Sequence, residues 1–216
     1  MRVTLIYDNE VLRQGLVPGW GFSALIEAGS APPVLFDTGA DGPTLLNNMA
    51  ELGIKPGDIG AIVLSHAHMD HTGGLSAVLA ENRQAEIFVP ASVRVVASDR
   101  KVIRVAGPRD IVGGIHTTGE LMSIEQSLAL ETAAGIVVVT GCSHPGVGEI
   151  LGAASKWGKL NGIIGGLHGF HDFDLLKGLS LICPCHCTQY KAEILRRFPE
   201  QSVTCGAGIV LEMDEP

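Results

Sequence analysis

The sequence predicts a fold in which β-sheets carry helices on their outer faces. Short apolar runs, typical of buried strands, alternate along the whole chain with segments whose apolar residues have helical spacing. The 216 residues contain no evident linker, repeat or low-complexity tract, so we expect one domain spanning 1–216. The composition, 46% hydrophobic and 18% charged, is that of an ordinary globular protein.

Apolar runs bounded by turn residues predict the strands. In chain order they are 3–7, 23–27, 34–36, 59–64, 87–89, 115–117, 128–132, 136–140, 162–164 and 180–183, with a strand or hairpin over 203–204 and 208–213. Apolar residues at Leu45, Leu46, Met49 and Leu52 predict an amphipathic helix over 42–52. The other predicted helices are 74–82, 92–98, 147–157, 175–178 and 189–198.

The densest chemical signal follows the predicted strand at 59–64. His66, His68, Asp70 and His71 fall within six residues. Because side chains alternate along an extended backbone, His66 and His68 point the same way and can bind one metal ion. Asp70 and His71 follow where the chain turns, and their different directions suit a second ion. These donors are ligands that Zn²⁺ accepts. The alternative interpretation is a polar loop of solvated histidines.

Three later histidines share one pattern, an apolar strand followed by a turn and then the histidine. They are His144 after VVVTGCS, His168 after IIGGL and His186 after LICPC. Ligands at the ends of rigid strands have a fixed geometry, and small residues let the backbone approach a site closely. One such histidine carries little information. Three of them, together with the upstream cluster, predict convergence on one site.

The formal charge of −8 argues against general binding to nucleic acid or to an anionic membrane, because both need a positive field. We therefore expect a small-molecule substrate, and the sequence leaves the oligomeric state open. One local exception is the segment 94–109, which holds five of the fifteen basic residues. It is either a solvated loop or helix face, or a rim that binds a phosphate-bearing substrate.

The cysteines and the N-terminal segment predict a cytoplasmic location. The first residues lack the apolar segment of a signal peptide, and no stretch approaches the ~20 apolar residues of a membrane helix. Cys183, Cys185 and Cys187 are too close in sequence for a normal disulfide framework, so reduced thiols are expected. In an extended segment the three would share one side, opposite His186, which favours inert core cysteines over a thiolate metal or redox site.

The order of these motifs resembles the metallo-β-lactamase superfamily. The matching features are the HxHxDH cluster, the GCSH sequence at 141–144 and the final strand-end His186. Within that superfamily the chain is most similar to the dihydropterin–ribofuranosylaminobenzene phosphate synthases. That similarity lies in LFDTG at 35–39, EQSL at 125–128, GGLH at 165–168 and HCT at 186–188, which span nearly the whole chain in the family's order.

The resemblance implies an α+β fold, the αββα sandwich of two packed mixed β-sheets with helices on the outer faces and metals at one edge. The first ion would take His66, His68 and His144, and the second would take Asp70, His71 and His186. Asp37 matches a buried aspartate that orients metal ligands from behind. The expected cofactor is Zn²⁺, as one or two ions, with Mn²⁺ or Fe²⁺ as alternatives.

The chain departs from the superfamily pattern at one ligand position. Many members carry a bridging aspartate at the strand end that here reads Gly-Leu-His at 166–168. A histidine supplies no negative charge and cannot bridge two ions as a carboxylate does, so His168 binds one ion only or faces the substrate. Asp172 and Asp174 are possible replacements, although their spacing does not require it. His116 and His171 are expected at the surface or behind the ligands.

Three functions remain open at this point. The first is a metal-dependent hydrolase that uses a metal-activated water on a small phosphate- or ester-bearing substrate, with Asp70 orienting the nucleophile or moving its proton. The second is a transferase of the same fold that displaces diphosphate from a pterin. The third is a non-catalytic metal or redox sensor, since one scaffold carries many chemistries.

Overall fold

The computed structural model describes residues 1–95 and 100–216, and its strands form two sheets. The strands are β1 (Arg2–Tyr7), β2 (Ser23–Glu27), β3 (Val34–Phe36), β4 (Ala61–Val63), β5 (Glu86–Pro90), β6 (Val102–Val105), β7 (Arg109–Val112), β8 (Ile115–Thr117), β9 (Leu128–Thr132), β10 (Gly135–Thr140), β11 (Leu160–Gly166), β12 (Leu181–Cys185) and β13 (Val210–Glu212). The helices are α1 (Gly42–Glu51), α2 (Met69–Thr72), α3 (Leu75–Glu81), α4 (Val147–Ala154) and α5 (Lys191–Arg197), with single 3₁₀ turns at Pro56–Asp58, Ser155–Trp157 and Phe173–Leu176.

Both sheets are mixed. The first has the spatial order β13-β1-β2-β3-β4-β5-β6, in which β3 to β6 run parallel and the remaining pairs run antiparallel. The second has the order β12-β11-β10-β9-β8-β7, in which β10, β11 and β12 run parallel. Its other pairs are antiparallel.

Alternate residues of the central strands face opposite layers. In β1, Leu5 belongs to the cluster between the two sheets, whereas Ile6 packs on the outer side of the first sheet. In β10, Val137 and Val139 face the first sheet, whereas Val138 packs on the outer side of the second. The core between the sheets is therefore built from every second residue of both.

Helices cover both outer faces. Leu45 and Met49 of α1 and Val78 of α3 pack on the first sheet, while Ile150 of α4 and Ile194 of α5 pack on the second. Burial of such apolar side chains is the main force holding helix to sheet. The layers run helix, sheet, sheet, helix, so the predicted αββα sandwich is confirmed.

The strand directions bring the predicted site residues to one edge. The carboxyl ends of parallel neighbours lie at the same edge of a sheet, and the histidine-bearing turns follow β4, β10, β11 and β12. Six described non-glycine residues have positive φ, and four of them stand at such strand ends. They are Asp37 (57°), Ser143 (60°), His168 (44°) and His186 (44°). Backbone in this region is unfavourable for these residues and clusters at functional sites.

Several predicted elements differ from the structure. Part of the segment 94–109, expected as a solvated loop or helix face, forms β6, and β7 begins at its last residue, Arg109. Residues 203–204 are not a strand. Of the helix predicted over 92–98, residues 92–95 form a turn and irregular chain, and the remainder lies outside the described residues. Within the described ranges, no helix combines the length and apolarity needed to cross a membrane.

Candidate metal centre

The first predicted ligand set comes together at the edge between the sheets. The ligand nitrogens of His66, His68 and His144 all lie within 4.8 Å of one another. The Nε2 atom of His66 is 3.0 Å from Nδ1 of His68. His66 and His68 leave the end of β4, whereas His144 comes from the turn after β10, so this set joins the two sheets.

One nitrogen of this set is suited to binding a cation. The Nε2 atom of His144 is buried and has no hydrogen-bond partner among the described residues. A buried polar atom without a partner costs free energy, which a metal bond to that nitrogen would relieve. Three imidazoles converging on one point are also the donor set that borderline divalent ions accept.

The second predicted set lies beside the first. Ligand atoms of Asp70, His71 and His186 also lie within 4.8 Å of one another. The Oδ2 atom of Asp70 is 3.2 Å from Nε2 of His186 and 3.9 Å from Nε2 of His71. The rings of His66 and His71 are 4.3 Å apart between centroids, so the two sets are neighbours. Residues predicted for both ions therefore form one cluster that fits metal ions.

Asp37 orients one histidine of each set, His71 directly and His66 through Ser65. Its buried carboxylate lies 2.6 Å from Nδ1 of His71 and accepts hydrogen bonds from the backbone N–H and hydroxyl of Ser65, at 2.6 and 2.7 Å. The Ser65 hydroxyl oxygen is in turn 2.8 Å from Nδ1 of His66. With Nδ1 engaged in this way, the Nε2 atom of each ring is left for a metal. Gly141 permits this packing, because a Cβ there would lie 2.3 Å from the Ser65 hydroxyl.

His186 is held by residues that the sequence did not single out. Its Nδ1 atom is 2.9 Å from the side-chain oxygen of Asn9, whose amide nitrogen donates to the His186 carbonyl at 3.0 Å. The backbone N–H of His186 donates to the carboxylate of Asp8 at 2.9 Å. These contacts fix a residue whose backbone is left-handed. Asn9 and Asp8 lie in the loop after β1, where no periodicity or motif marked them.

Glu125 is a third residue whose role the sequence analysis missed. Its buried carboxylate accepts hydrogen bonds from four consecutive backbone N–H groups. These belong to Gly141 (3.1 Å), Cys142 (3.0 Å), Ser143 (3.2 Å) and His144 (2.9 Å). Charge-assisted bonds of this kind are stronger than neutral ones. Glu125 thus shapes the turn that presents His144, and the EQSL match at 125–128 was the available signal.

Burial keeps most of these histidines neutral, which is the form that binds metal. It lowers the pKa of His66 far below the ordinary value, and the neighbouring His71 and His144 lower it further. Burial likewise lowers the pKa of His186 to about 4. His71 differs, because burial lowers its pKa but the carboxylates of Asp37, Asp70 and Glu125 together raise it by more. A cation at Nε2 of His71 must therefore displace a proton.

The remaining predicted histidines lie apart from the two sets. His168 is exposed beside His144, with ring centroids 5.2 Å apart, but it belongs to neither converging set, so its role as a ligand stays a prediction. His171 is exposed and contacts the Gly169 carbonyl. His116 is buried, so the expectation of a surface position is wrong for this residue. It is 2.8 Å from the Asp110 carboxylate and stacks on Trp157. Asp174 pairs with Lys177 at 2.8 Å.

The expectation of reduced thiols is wrong for one pair. Cys185 and Cys205 form a disulfide with a Cα–Cα distance of 5.2 Å, which joins the end of β12 to the C-terminal segment. Sequence spacing hid this because the partner lies 20 residues away rather than inside the dense run. Cys183 fits the predicted core role, since it is buried between the sheets beside this pair.

Cys187 also departs from the prediction. Simple alternation placed it with the two preceding cysteines, but the left-handed turn at His186 redirects the chain. Its sulfur lies 3.2 Å from the sulfur of Cys142, at the floor of the metal centre. A Cβ on Gly166 would lie 2.6 Å from that sulfur, so a glycine is needed there.

The basic segment has contacts of its own. The Arg100 guanidinium donates to the carbonyls of Leu79 and Asn82, both at 3.1 Å. Lys101 pairs with Glu86. The Lys101 pair is exposed, whereas the Arg100 contacts are part-buried, and a phosphate-binding rim stays a prediction.

The fold and this centre together define an αββα protein with a histidine- and aspartate-rich cluster that fits metal ions at the edge between its sheets. Comparison with known families agrees. The sequence profile of the metallo-beta-lactamase superfamily matches residues 17–175. The chain belongs to the metallo-β-lactamase superfamily.

Individual relatives are similar over most of their length. The chain is 29% identical to the 7,8-dihydropterin-6-methyl-4-(beta-D-ribofuranosyl)-aminobenzene-5'-phosphate synthase of Methanocaldococcus jannaschii, over 90% of this chain and 91% of that protein. Among solved structures it is similar to Tm1679, a metal-dependent hydrolase of the beta-lactamase superfamily, with 25% identity, a TM-score of 0.80 and complete coverage of both chains. The metallo-beta-lactamase fold protein YhfI of Bacillus subtilis shares the fold at 14% identity and a TM-score of 0.66, over 98% of this chain and 99% of that one.

Proposed function

We propose that the chain is a metal-dependent hydrolase that acts on a small phosphate- or ester-bearing molecule. The observation that carries this proposal is the meeting of two ligand sets, His66/His68/His144 and Asp70/His71/His186, at one edge. Similarity to Tm1679 over both whole chains supports it. We expect Zn²⁺, as one or two ions, because the donors are nitrogen and oxygen atoms; Mn²⁺ and Fe²⁺ accept similar donors.

A divalent ion held here supplies Lewis acidity, which polarises an electrophilic phosphorus or carbonyl centre and lowers the pKa of water toward neutrality. The chain's contribution is position and proton transfer. Asp70 has a side chain that is 21% exposed, so it reaches both the ligand set and the solvent. We assign it to orienting the attacking water and accepting its proton.

The mouth of the centre is partly apolar. Trp20 is 63% exposed, its indole N–H donates to Oδ2 of Asp70 at 3.0 Å, and its ring lies 5.0 Å from that of His186. Met69 is also exposed beside the ligands. An aromatic side chain tied to the centre in this way suits the organic part of a small substrate, which it would hold by stacking.

Metal analysis tests the first half of the proposal. Protein purified with Zn²⁺ should hold one or two ions per chain, and His66→Ala should lose the first. His171→Ala is the matched control, because His171 is exposed and outside both sets. Protein that folds with ample zinc, manganese or iron and binds none of them would refute a metal centre.

A substrate panel tests the second half. Zinc-loaded protein is assayed with phosphomonoesters, phosphodiesters, thioesters, lactones and lactams. Turnover of one class is expected, with loss in Asp70→Asn and retention in His171→Ala. Metal binding without turnover of any class would contradict a hydrolase.

A transferase is the second candidate, because the chain is 29% identical to the Methanocaldococcus jannaschii synthase across nearly its whole length. In such a reaction an amine nitrogen bonds to a pterin methylene carbon as diphosphate leaves. Product that forms only when a pterin diphosphate and a ribosylated aminobenzene phosphate are supplied together would favour this candidate over hydrolysis.

A further inference from the structure

The sulfur of Cys142 lies between the two ligand sets. It is 3.2 Å from Nε2 of His71. The Cys142 sulfur and one ligand atom each of His66 and His71 all lie within 4.8 Å of one another. The same holds for the Cys142 sulfur and the ligand atoms of His186 and Cys187. The Cys142 sulfur thus contacts His71 of the second set and lies within 4.8 Å of a ligand atom of His66 of the first set. The side chain of Cys142 is buried, with 3% exposure.

The two sets are short of negative charge for two divalent ions. Between them they offer five imidazoles, which supply no negative charge, and one carboxylate. Two such ions a few ångströms apart would repel strongly, and an additional anionic ligand close to both would stabilise the pair. Two buried carboxylates at this edge are already engaged, Asp37 by Ser65 and His71, and Glu125 by four backbone N–H groups. A thiolate at Cys142 is in position to supply the charge.

We propose that Cys142 is a metal ligand that would bind as a thiolate beside both ligand sets. The proposal rests on the metal centre of the proposed function, but not on its reaction. On binding, the S–H bond breaks, sulfur keeps the electron pair to form the bond to the ion, and the proton passes to solvent. Because thiolate is a soft donor, the centre should prefer Zn²⁺, Co²⁺ or Cd²⁺ over Mn²⁺.

Cys187 has a supporting role in this arrangement. Its thiol donates to the Cys142 sulfur across 3.2 Å, and it occupies the space left by the missing side chain of Gly166. The Cys142 sulfur is thus held by two contacts, one with Cys187 and one with His71. The Cys187 sulfur also lies within 4.8 Å of a ligand nitrogen of His186. Cys187 is therefore the alternative sulfur ligand, and an experiment must distinguish it from Cys142.

Cobalt spectroscopy separates them. Protein freed of metal with a chelator is titrated with Co²⁺, and near-ultraviolet absorption reports thiolate-to-cobalt charge transfer while visible absorption reports cobalt bound to any ligand. The unmutated protein should show both signals. Cys142→Ala should lose the ultraviolet signal and keep the visible one. Cys187→Ala should keep both, as should Cys183→Ala, a matched control whose thiol is buried in the core between the sheets.

The outcomes are distinct. Visible cobalt absorption without the ultraviolet signal in the unmutated protein overturns this proposal and leaves the metal centre intact. Loss of the ultraviolet signal in Cys187→Ala with retention in Cys142→Ala also overturns it. No cobalt or zinc binding at all overturns the metal centre as well.

A measurement on unmutated protein covers the case in which Cys142→Ala does not fold. X-ray absorption of the zinc-loaded protein should show a sulfur neighbour at about 2.3 Å. A shell of nitrogen and oxygen only would refute the thiolate ligand. In competition with a chelator, a folded Cys142→Ser protein should bind Zn²⁺ about tenfold or more weakly than the unmutated protein, since serine keeps the size of the side chain without the soft donor.

Discussion

Single residues behind the ligands decide whether the ligands can act. Three residues orient the candidate ligands by hydrogen bonds to the histidine rings or to their backbone. They are Asp37, Asn9 and Glu125. Such partners fix the tautomer and direction of an imidazole before any ion arrives. Their loss should therefore weaken metal binding without removing a single ligand.

Asp37→Asn should weaken metal binding at the second set by about 10–100-fold. The amide keeps the size of the carboxylate but offers one acceptor where Ser65 and His71 need several. Chelator competition measures the change. Asp174→Asn is the control, because that carboxylate is exposed and pairs with Lys177. An affinity equal to that of the unmutated protein would show that Asp37 does not orient the ligands.

Glu125→Gln should lower the free energy of unfolding by about 2–3 kcal/mol, the scale of a lost hydrogen bond to a charged group. The amide nitrogen of glutamine is a donor, and it would face backbone N–H groups of the turn at 141–144. Those groups all need an acceptor. Urea denaturation measures the loss. Glu149→Gln, exposed on α4, should change nothing. Equal stability of both variants would refute the role assigned to Glu125.

The convergence of the candidate ligands was predictable from the sequence, but these supporting residues were not. His66, His68 and His71 stand in one dense motif, and a repeated strand-turn-histidine pattern marked His144 and His186. Asn9 instead reaches His186 across 177 residues from a loop without pattern. The left-handed backbone at His186 carries no signal, because the residue is not glycine, and it moved Cys187 to the centre.

Among whole elements, the strands that sequence analysis missed are the edge strands. β6 and β7 lie at the ends of their sheets, and their sequences VIRV and RDIV include charged, exposed residues. Edge strands are half solvated, so they lack the apolar run that predicts a central strand such as β10, which is buried along most of its length. The same solvation explains why basic residues of that segment were taken for a loop.

α1 depends on Asp41 at its start. The Oδ1 atom of Asp41 accepts from the Thr44 backbone N–H at 2.8 Å, and Oδ2 accepts from the Tyr7 hydroxyl at 2.8 Å. Asp41→Ala should destabilise the protein by about 1 kcal/mol, as measured by thermal or urea unfolding. Asp41→Asn keeps an acceptor for Thr44 and should lose less. Equal losses in both variants would mean that charge, not the cap, is responsible.

That contribution also has a pH dependence. The hydrogen bond from Thr44 lowers the pKa of Asp41, so the folded state holds the carboxylate ionised more firmly than the unfolded state does. The stabilisation is present above the ordinary pKa and is lost as pH falls through the lower folded value. The stability difference between the unmutated protein and Asp41→Asn should therefore shrink in acid below about pH 4.

At the scale of the whole molecule, the disulfide ties the second sheet to the C-terminal segment. Cys185 and Cys205 close a loop of 20 residues, which should contribute about 3 kcal/mol by restricting the unfolded chain. Cys205→Ser should lower stability by that amount, and a thiol reductant should do the same to the unmutated protein. The reductant should leave Cys205→Ser unchanged. If reductant lowers both equally, the effect does not come from this bond.

A metal ion bound at the proposed centre would also join the two sheets of the molecule. His66 and His68 follow β4 of the first sheet, whereas His144 follows β10 of the second, so an ion bound by all three links the sheets at their shared edge. An ion that binds only the folded state adds about 2.7 kcal/mol at a concentration of 100 times its dissociation constant. For a chain of this size that is a rise of roughly 5–10 °C in melting temperature. Removal of metal by a chelator should reverse the rise, and restored Zn²⁺ should recover it. His66→Ala should lose this response, while His171→Ala should keep it. A melting temperature that neither the chelator nor zinc changes would mean that no bound ion stabilises the contact between the sheets.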